Sequence, residues 1–177
     1  MVSDNDNLIV SAESPHSKEC LDLLTLLRTE LSEKYPDELR GMPLIPEELG
    51  IAGAAFLVAR LDGQPLGCGA IRPLKPGVAE VKRMFVVHEA RGQGVGRAIL
   101  ENLETFAKNF GYRSVRLETG LKQPEAISLY QSAGYHRAPC YGQYRENPLS
   151  VCFENNSKLP EDLRSEIARS SRFLLVA

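Results

Sequence analysis

Apolar and polar residues follow two periods along this chain, and the period changes at recognisable breaks. Leu8 to Val10 is a short β-prone run, followed by polar residues and Pro15. Leu21, Leu24, Leu27 and Leu31 then recur at spacings of three and four, which predicts one face of a helix ending before Pro36. From Tyr35 to Gly50 prolines and glycines break the pattern. That stretch predicts a loop or short helix, too short to separate two domains. Ala54 to Leu61 reads as a strand, Asp62-Gly63 as a hairpin turn and Leu66 to Ile71 as the partner strand. Lys75-Pro76-Gly77 turns the chain again into a third strand, Ala79 to Val87. Its end, Met84-Phe85-Val86-Val87, is continuously apolar, as expected of a strand buried on both faces.

The second half begins with Arg91-Gly92-Gln93-Gly94-Val95-Gly96-Arg97 and a helix. Val95, Ile99, Leu100, Leu103, Phe106, Ala107 and Phe110 share one helical face, and Gly111 supplies the stop. Ser114 to Thr119 predicts a strand. Pro124 sits at a helix start, and Ala126, Ile127, Leu129 and Tyr130 continue that helix toward Gly134. Tyr135 to Tyr141 and Ser150 to Glu154 predict two final strands. Leu163 and Ile167, one turn apart beyond Pro160, predict a short amphipathic helix in a peripheral tail over 156–177.

The chain's 177 residues suit one domain, 1–177. Lys+Arg is 21 and Asp+Glu is 23, a net charge of −2 that argues against binding nucleic acid through bulk charge. With no tryptophan and scattered Tyr and Phe, no stacking platform for bases is evident. The longest uncharged apolar stretch, Ile51 to Ala59, is far short of the roughly 20 residues of a spanning helix, so no membrane association is expected. The acidic start does not resemble a signal peptide. Cys20, Cys68, Cys140 and Cys152 form no Cys-x-x-Cys pair. They predict reduced, buried thiols in a cytoplasmic protein. His16, His88 and His136 lack metal-ligand spacing, so no metal is expected.

The stretch with chemical content is the glycine loop between a strand and a helix. A helix start carries unpaired N–H groups and partial positive charge, and glycines let that backbone approach a pyrophosphate. Arg91 and Arg97 add formal charge. A dinucleotide fingerprint fails, because its third glycine position is Arg97. No Gly-Lys-Ser/Thr of a P-loop is present. Arg91-x-x-Gly94-x-Gly96 after an apolar strand resembles the signature of the GNAT superfamily of acyl-CoA-dependent N-acyltransferases. The resemblance runs from about Phe56 to Tyr141. Glu80-Val81-Lys82-Arg83-Met84-Phe85-Val86 looks like that family's fourth strand. Ala126-Ile127-Ser128-Leu129-Tyr130-x-x-x-Gly134-Tyr135 looks like its second signature. Leu117 to Gly120 with Gln123 to Ala126 is similar to a small bacterial subgroup.

The resemblance implies an α/β (α+β) fold: a mixed, mostly antiparallel central sheet with helices on both faces. Its fourth and fifth strands, here Ala79–Val87 and Ser114–Thr119, are expected to splay around the pantetheine arm of acetyl-CoA. The main chain of Met84, Phe85 and Val86 would pair with the pantetheine amides. The N–H groups of Arg91, Gly92, Gln93, Gly94, Val95, Gly96 and Arg97 would hold the pyrophosphate. Gln123 stands near the cofactor where many relatives carry asparagine.

The implied activity is direct acetyl transfer to a primary amine within a ternary complex. The alternative is a catalytically silent acyl-CoA sensor or partner-binding protein. By its match to the family's tyrosine, Tyr130 is the expected acid for the leaving thiolate. Glu80 is the expected base and Glu118 the second candidate. A structural reading would pair Glu80 with Lys82 or Arg83 at the surface. No cysteine sits beside a recognisable His partner, so a covalent intermediate is not expected. The acceptor site is expected over about Leu27 to Ile51, with Tyr35 as a wall residue. The mild acidic excess of that segment favours a cationic amine. An exposed edge at Ser150–Glu154 and apolar Phe173, Leu174 and Leu175 suggest a homodimer.

Overall fold

Two tight turns build the first half of the sheet. In the computed structural model, which describes residues 7–37, 43–45 and 47–156, Asp62 and Gly63 both adopt positive φ between Leu61 and Gln64. That conformation matches the twist of the strands it joins. The turn links β2 (Ala55–Leu61) to β3 (Gln64–Lys75), and Pro76-Gly77 then links β3 to β4 (Val78–Val86). β1 (Leu8–Ala12) adds antiparallel to β2. β5 (Ser114–Gly120) lies parallel to β4, and β7 (Ser150–Asn155) runs antiparallel to β5. β6 (His136–Arg137) completes the order β1-β2-β3-β4-β5-β7-β6.

Among the described residues, three α-helices cover this sheet: α1 (Lys18–Lys34), α2 (Val95–Phe110) and α3 (Pro124–Ser132). The alternation of β2 shows why helices are needed on both faces. Phe56 and Val58 pack with Leu23, Leu24 and Leu27 of α1, whereas Leu57 and Ala59 pack with Ile99, Leu100 and Leu103 of α2. The expected mixed, mostly antiparallel sheet between helices is therefore what the chain forms. The Ser17 side chain caps α1 by accepting from Cys20 N–H at 3.3 Å. α2 begins and ends where its periodicity predicts, between Gly94 and Gly111. Among the described residues, no helix is long and apolar enough to cross a membrane.

Several expectations are corrected. Leu21 sits at the margin of α1, and the buried face runs through Cys20, Leu23, Leu24 and Leu27. Phe110, expected inside, is 53% exposed and leans on Phe106 and Tyr112 at the rim. The strand expected over 135–141 is only two residues long. After Arg137 the Ala138 N–H still reaches Cys152 O, and Pro139 then removes the next donor. Cys140 and Cys152, expected as reduced thiols, form a disulfide, while Cys20 and Cys68 are buried free thiols. The edge expected at 150–154 is not one: β7 lies between β5 and β6, and the outer strands are β1 and β6. The predicted helix beyond Pro160 and the apolar 173–175 lie outside the described residues. Of the two features behind the expected homodimer, the edge is thus removed by the strand order, and the apolar tail lies outside the described residues.

Candidate active site

β4 and β5 run side by side for only four residue pairs, from Val78↔Ser114 to Val81↔Leu117. Beyond that point the strands part and their facing main-chain edges are no longer paired with each other. A cleft of about 350 Å³ opens there. The structure brings Tyr35, Glu80, Met84, Glu118, Gln123 and Tyr130 together around it. Volume and mixed lining suit an organic ligand.

A bulge shapes the β4 wall. β3 advances two residues, from Cys68 to Ala70, while β4 advances three, from Phe85 back to Lys82. Arg83 in the bulge takes a left-handed backbone, φ 56°. Its guanidinium donates to Pro43 O at 3.1 Å, and its carbonyl accepts from Cys68 Sγ at 3.5 Å. The extra residue reverses the alternation of the strand. Ala79 and Val81 pack toward α2, yet Phe85 packs toward α1. Glu80 and Lys82 thus line the cleft before the bulge and Met84 lines it within the bulge. The mixed burial at Met84 and Val86 also corrects the expectation of a strand end fully buried on both faces.

The glycine loop lies at the start of α2. Gly94, at φ 83°, is the N-cap residue, a conformation costly for a β-branched side chain, and no side chain caps the helix. The first intrahelical bond runs from Ala98 N–H to Gly94 O, so Val95, Gly96 and Arg97 precede it with outward N–H groups. A Cβ at Gly92 or Gly94 would meet nothing within 4 Å, so the loop is open on that side. A Cβ at Gly96 would lie 3.4 Å from Leu129 of α3 and 3.6 Å from Val86 of β4. The loop therefore adjoins the two elements that carry the cleft. Arg91 is put to a different use from the one expected. Its main-chain N–H donates to His88 O, and its guanidinium donates to Val86 O at 2.9 Å and pairs with Glu30 at 2.5 Å. Burial opposes ionisation of Glu30, but Arg91 and Lys34 outweigh it and hold the carboxyl below its ordinary range. Gln93 donates from its side chain to Glu89 O, and Arg97 to Ser132 Oγ.

Tyr130 projects from α3 into the cleft wall with its ring against Tyr135 and Phe153. Burial first, and the charge of Glu118 second, push its phenol well above the usual range. It is a protonated donor at physiological pH, not a base. Glu118 accepts from Ser150 Oγ at 2.6 Å and lines the same cleft. Tyr35 ends α1 and its hydroxyl accepts from Lys122 N–H at 2.7 Å, tying the first helix to the turn after β5. Any Cβ at Gly120 would collide with that hydroxyl, so the close approach requires glycine. Tyr35 is thus both core and cleft wall. Gln123 precedes α3 at the cleft and hydrogen-bonds Tyr35.

Glu80 is not the surface carboxylate of the structural reading. It is completely buried. Its Oε1 accepts from Tyr141 Oη at 3.0 Å and from Lys82 Nζ at 3.2 Å. Arg72 Nη2 lies 2.6 Å from Oε2 with the geometry of an ion pair rather than a directed hydrogen bond. Lys82 also donates to Tyr144 Oη at 2.5 Å, and the Tyr141 and Tyr144 rings meet edge to face. Tyr141, Tyr144 and Arg72 were not picked out by sequence reasoning. The two tyrosines stand three apart in a segment whose pattern predicts strand and loop.

The comparisons with known proteins agree with this geometry. The profile of the acetyltransferase (GNAT) family matches residues 20–135. The chain is 38% identical over 149 residues to an IAA acetyltransferase of Azospirillum brasilense, covering 84% of this chain and 97% of that protein. A provisionally assigned acyl-CoA N-acyltransferase of Klebsiella pneumoniae has a similar structure. Its TM-score is 0.69 at 30% identity, over 84% of this chain and 96% of that one. A GNAT acetyltransferase of Elizabethkingia anophelis, solved with acetyl-CoA bound, shares the fold at TM-score 0.62 and 19% identity, over 85% and 99% of the two chains. Parted central strands, a glycine loop opening a helix and a buried tyrosine between them thus stand in a chain that belongs to the GNAT family of acetyltransferases.

Proposed function

We propose that this acetyltransferase moves an acetyl group from acetyl-CoA to a primary amine by direct transfer. The observation that carries this reading is the cleft between β4 and β5, with Tyr130 on one wall and free helix N–H groups beside it. The edge of β4 that faces β5 is unpaired with it past Val81, and its Met84, Phe85 and Val86 stretch offers main-chain partners for the amides of a pantetheine arm, with Val86 O already accepting from Arg91. The N–H groups of Val95, Gly96 and Arg97 suit a pyrophosphate. With no atom within 4 Å of a Cβ at Gly92 or Gly94, the loop leaves room for that anion on either side of Gln93, and Gln123 lines the cleft itself.

In the reaction the amine nitrogen bonds to the acetyl carbon and the carbon–sulfur bond breaks. The ammonium gives one proton to a base before attack, and after attack the nitrogen sheds a second, which ends on the departing, stabilised thiolate as the free thiol of CoA. A strand N–H near Val86 is suited to the oxyanion. Tyr130 supplies a hydrogen bond to the sulfur. Full proton transfer from a phenol above 10 to a thiolate near 8.5 is uphill by at least about 2 kcal/mol. Its contribution is therefore a hydrogen bond that strengthens in the transition state. For the amine proton Glu118 is better placed than Glu80, because Glu80 already accepts from Tyr141 and Lys82 and pairs with Arg72. We assign Glu80 to positioning. A cytoplasmic site of action rests on the donor alone, since a Cys140–Cys152 bridge is commoner in oxidising compartments.

Thermal melts test the donor. Acetyl-CoA at 100 times its dissociation constant is expected to add about 2.7 kcal/mol of stability, with NADH and ATP far less effective. Gly96→Val places methyls between Leu129 and Val86 without a backbone penalty. Those methyls overfill a gap that a Cβ alone already fills, so the unliganded stability is expected to fall by about 1–3 kcal/mol, and titration of the folded variant is expected to show acetyl-CoA weakened at least about tenfold, about 1.4 kcal/mol. No upward shift of the wild type at millimolar acetyl-CoA contradicts the reading.

A further inference from the structure

One charged contact joins the first helix to the strand end and the loop that face the donor. Val87 N–H donates to Leu66 O of β3 at 2.9 Å. Backbone groups alternate sides along a strand, so Val86 turns its N–H and carbonyl the other way, to the edge that β5 has left. Arg91 Nε donates to that carbonyl at 2.9 Å, and its guanidinium lies over the Phe85 ring at 5.8 Å from the centroid. The same guanidinium pairs with Glu30 of α1 at 2.5 Å. Arg91 also precedes Gly92, and the loop from Gly92 to Gly94 has both glycines at positive φ with no side chain capping α2. The Arg91 side chain thus ties the start of the loop back to the end of β4. Glu30 belongs to a helix end that also holds the opposite strand. Lys34 pairs with Glu30 at 3.0 Å and its carbonyl accepts from Lys122 Nζ at 2.9 Å, while the Tyr35 hydroxyl accepts from Lys122 N–H. The end of α1 therefore reaches β4 through Arg91 and the turn after β5 through Lys122, across the gap where the two strands part.

Resting on the reading of this cleft as the donor site, we infer that Glu30 is a positioning residue for acetyl-CoA. Glu30 is not among the side chains lining the cleft. It acts through Arg91, which it holds on the Val86 carbonyl. With that carbonyl engaged, the Val86 N–H on the same edge faces the donor. The same contact sets the point from which Gly92, Gln93 and Gly94 run to the helix start. A planar guanidinium already held at Val86 O and Phe85 loses little further freedom in pairing with Glu30. A ligand that meets a prearranged strand edge and loop likewise loses less freedom on binding. Without Glu30 the guanidinium turns to water, and the strand end and loop start are no longer held to one another. The helix itself stays seated, because its buried face runs through Cys20, Leu23, Leu24 and Leu27. By reciprocity, donor binding steadies the end of α1.

Titration calorimetry with acetyl-CoA tests this without an acceptor. Glu30→Met keeps the side chain's length and helix propensity and removes its charge. It is expected to weaken acetyl-CoA about fivefold, the scale of one partly exposed ion pair. Glu30→Gln keeps an acceptor oxygen for the guanidinium and is expected to weaken it only about twofold. Arg91→Met is expected to weaken it about tenfold, because the Val86 contact is lost too. Adding Glu30→Met to Arg91→Met is expected to cause no further loss. Lys34→Met removes the other partner of Glu30 and leaves Arg91 in place. It is expected to stay within about twofold, which a general loosening of the helix end would exceed. Unchanged or tighter binding in Glu30→Met overturns the inference, and so does a double variant in which the two losses multiply. Hydrogen exchange gives a readout that needs no change at position 30. CoA is expected to slow exchange over 30–35 in the wild type and to lose that effect in Arg91→Met. No slowing over 30–35 with CoA bound overturns the coupling. Absence of acetyl-CoA binding in the wild type removes the donor reading itself, whereas wild-type binding with indifferent variants removes this inference alone.

Discussion

Tyr130→Phe is expected to lower kcat about 10²–10⁴-fold, the range typical of a positioned acid or hydrogen-bond donor, while acetyl-CoA affinity changes less than about threefold. The ring stays, so the contacts with Tyr135 and Phe153 survive. Only the hydroxyl is lost, and it makes no hydrogen bond to a described residue that would need replacing. An interaction made mainly in the transition state affects turnover and leaves ground-state binding nearly intact. Initial rates with a titration of acetyl-CoA separate the two. Unchanged turnover on the best acceptor shows that the hydroxyl takes no part in the chemistry. Weaker acetyl-CoA binding with unchanged kcat reassigns Tyr130 to binding the donor.

Glu80→Gln is expected to destabilise the fold by about 3 kcal/mol. The amide keeps an oxygen for Tyr141 and Lys82 but no charge for Arg72 and Lys82, whose side chains are only 20% and 12% exposed. Removing one member of a buried ion pair typically costs about 3–5 kcal/mol. Partial exposure of both cations puts this site at the lower end. Urea denaturation measures the loss, and a value below about 1 kcal/mol removes the structural account of Glu80. Activity is expected to fall as well, because Lys82 and Tyr144 lose their anchor. The pH dependence separates positioning from base catalysis. If Glu80 took the amine proton, high pH would restore rate by supplying neutral amine. A positioning role predicts no such rescue, since deprotonating the acceptor does not rebuild the wall.

Local signals carried much of this structure. The α2 helix was legible at both ends because a strong apolar stripe is bounded by glycines, and two turn dipeptides announced the hairpins. The tyrosine of α3 and the loop at α2 were legible through family resemblance, since their spacing is fixed by neighbouring residues. What escaped depends on contacts between distant segments. The bulge at Arg83 is set by pairing with β3 and by the Pro43 carbonyl, and no residue type at that position signals it. Cys140 and Cys152 meet because the chain turns back after Arg137, which composition alone does not reveal. The burial of Glu80 was missed because its neutralising partners come from β3 and β4, and its tyrosine from the segment after β6. Tyr144 escaped for the same reason, since only the returning chain places it on Lys82.

The central claim is that the donor lies between the parted strands with its pyrophosphate on the first turn of α2. Amide hydrogen exchange with and without CoA tests this most directly, because protection reports which backbone groups are engaged or closed off. Slower exchange is predicted for peptides covering 84–86 and 94–97, with β1 and the β2–β3 turn unchanged. Protection elsewhere, with those two segments exchanging as fast as in the free protein, contradicts the account.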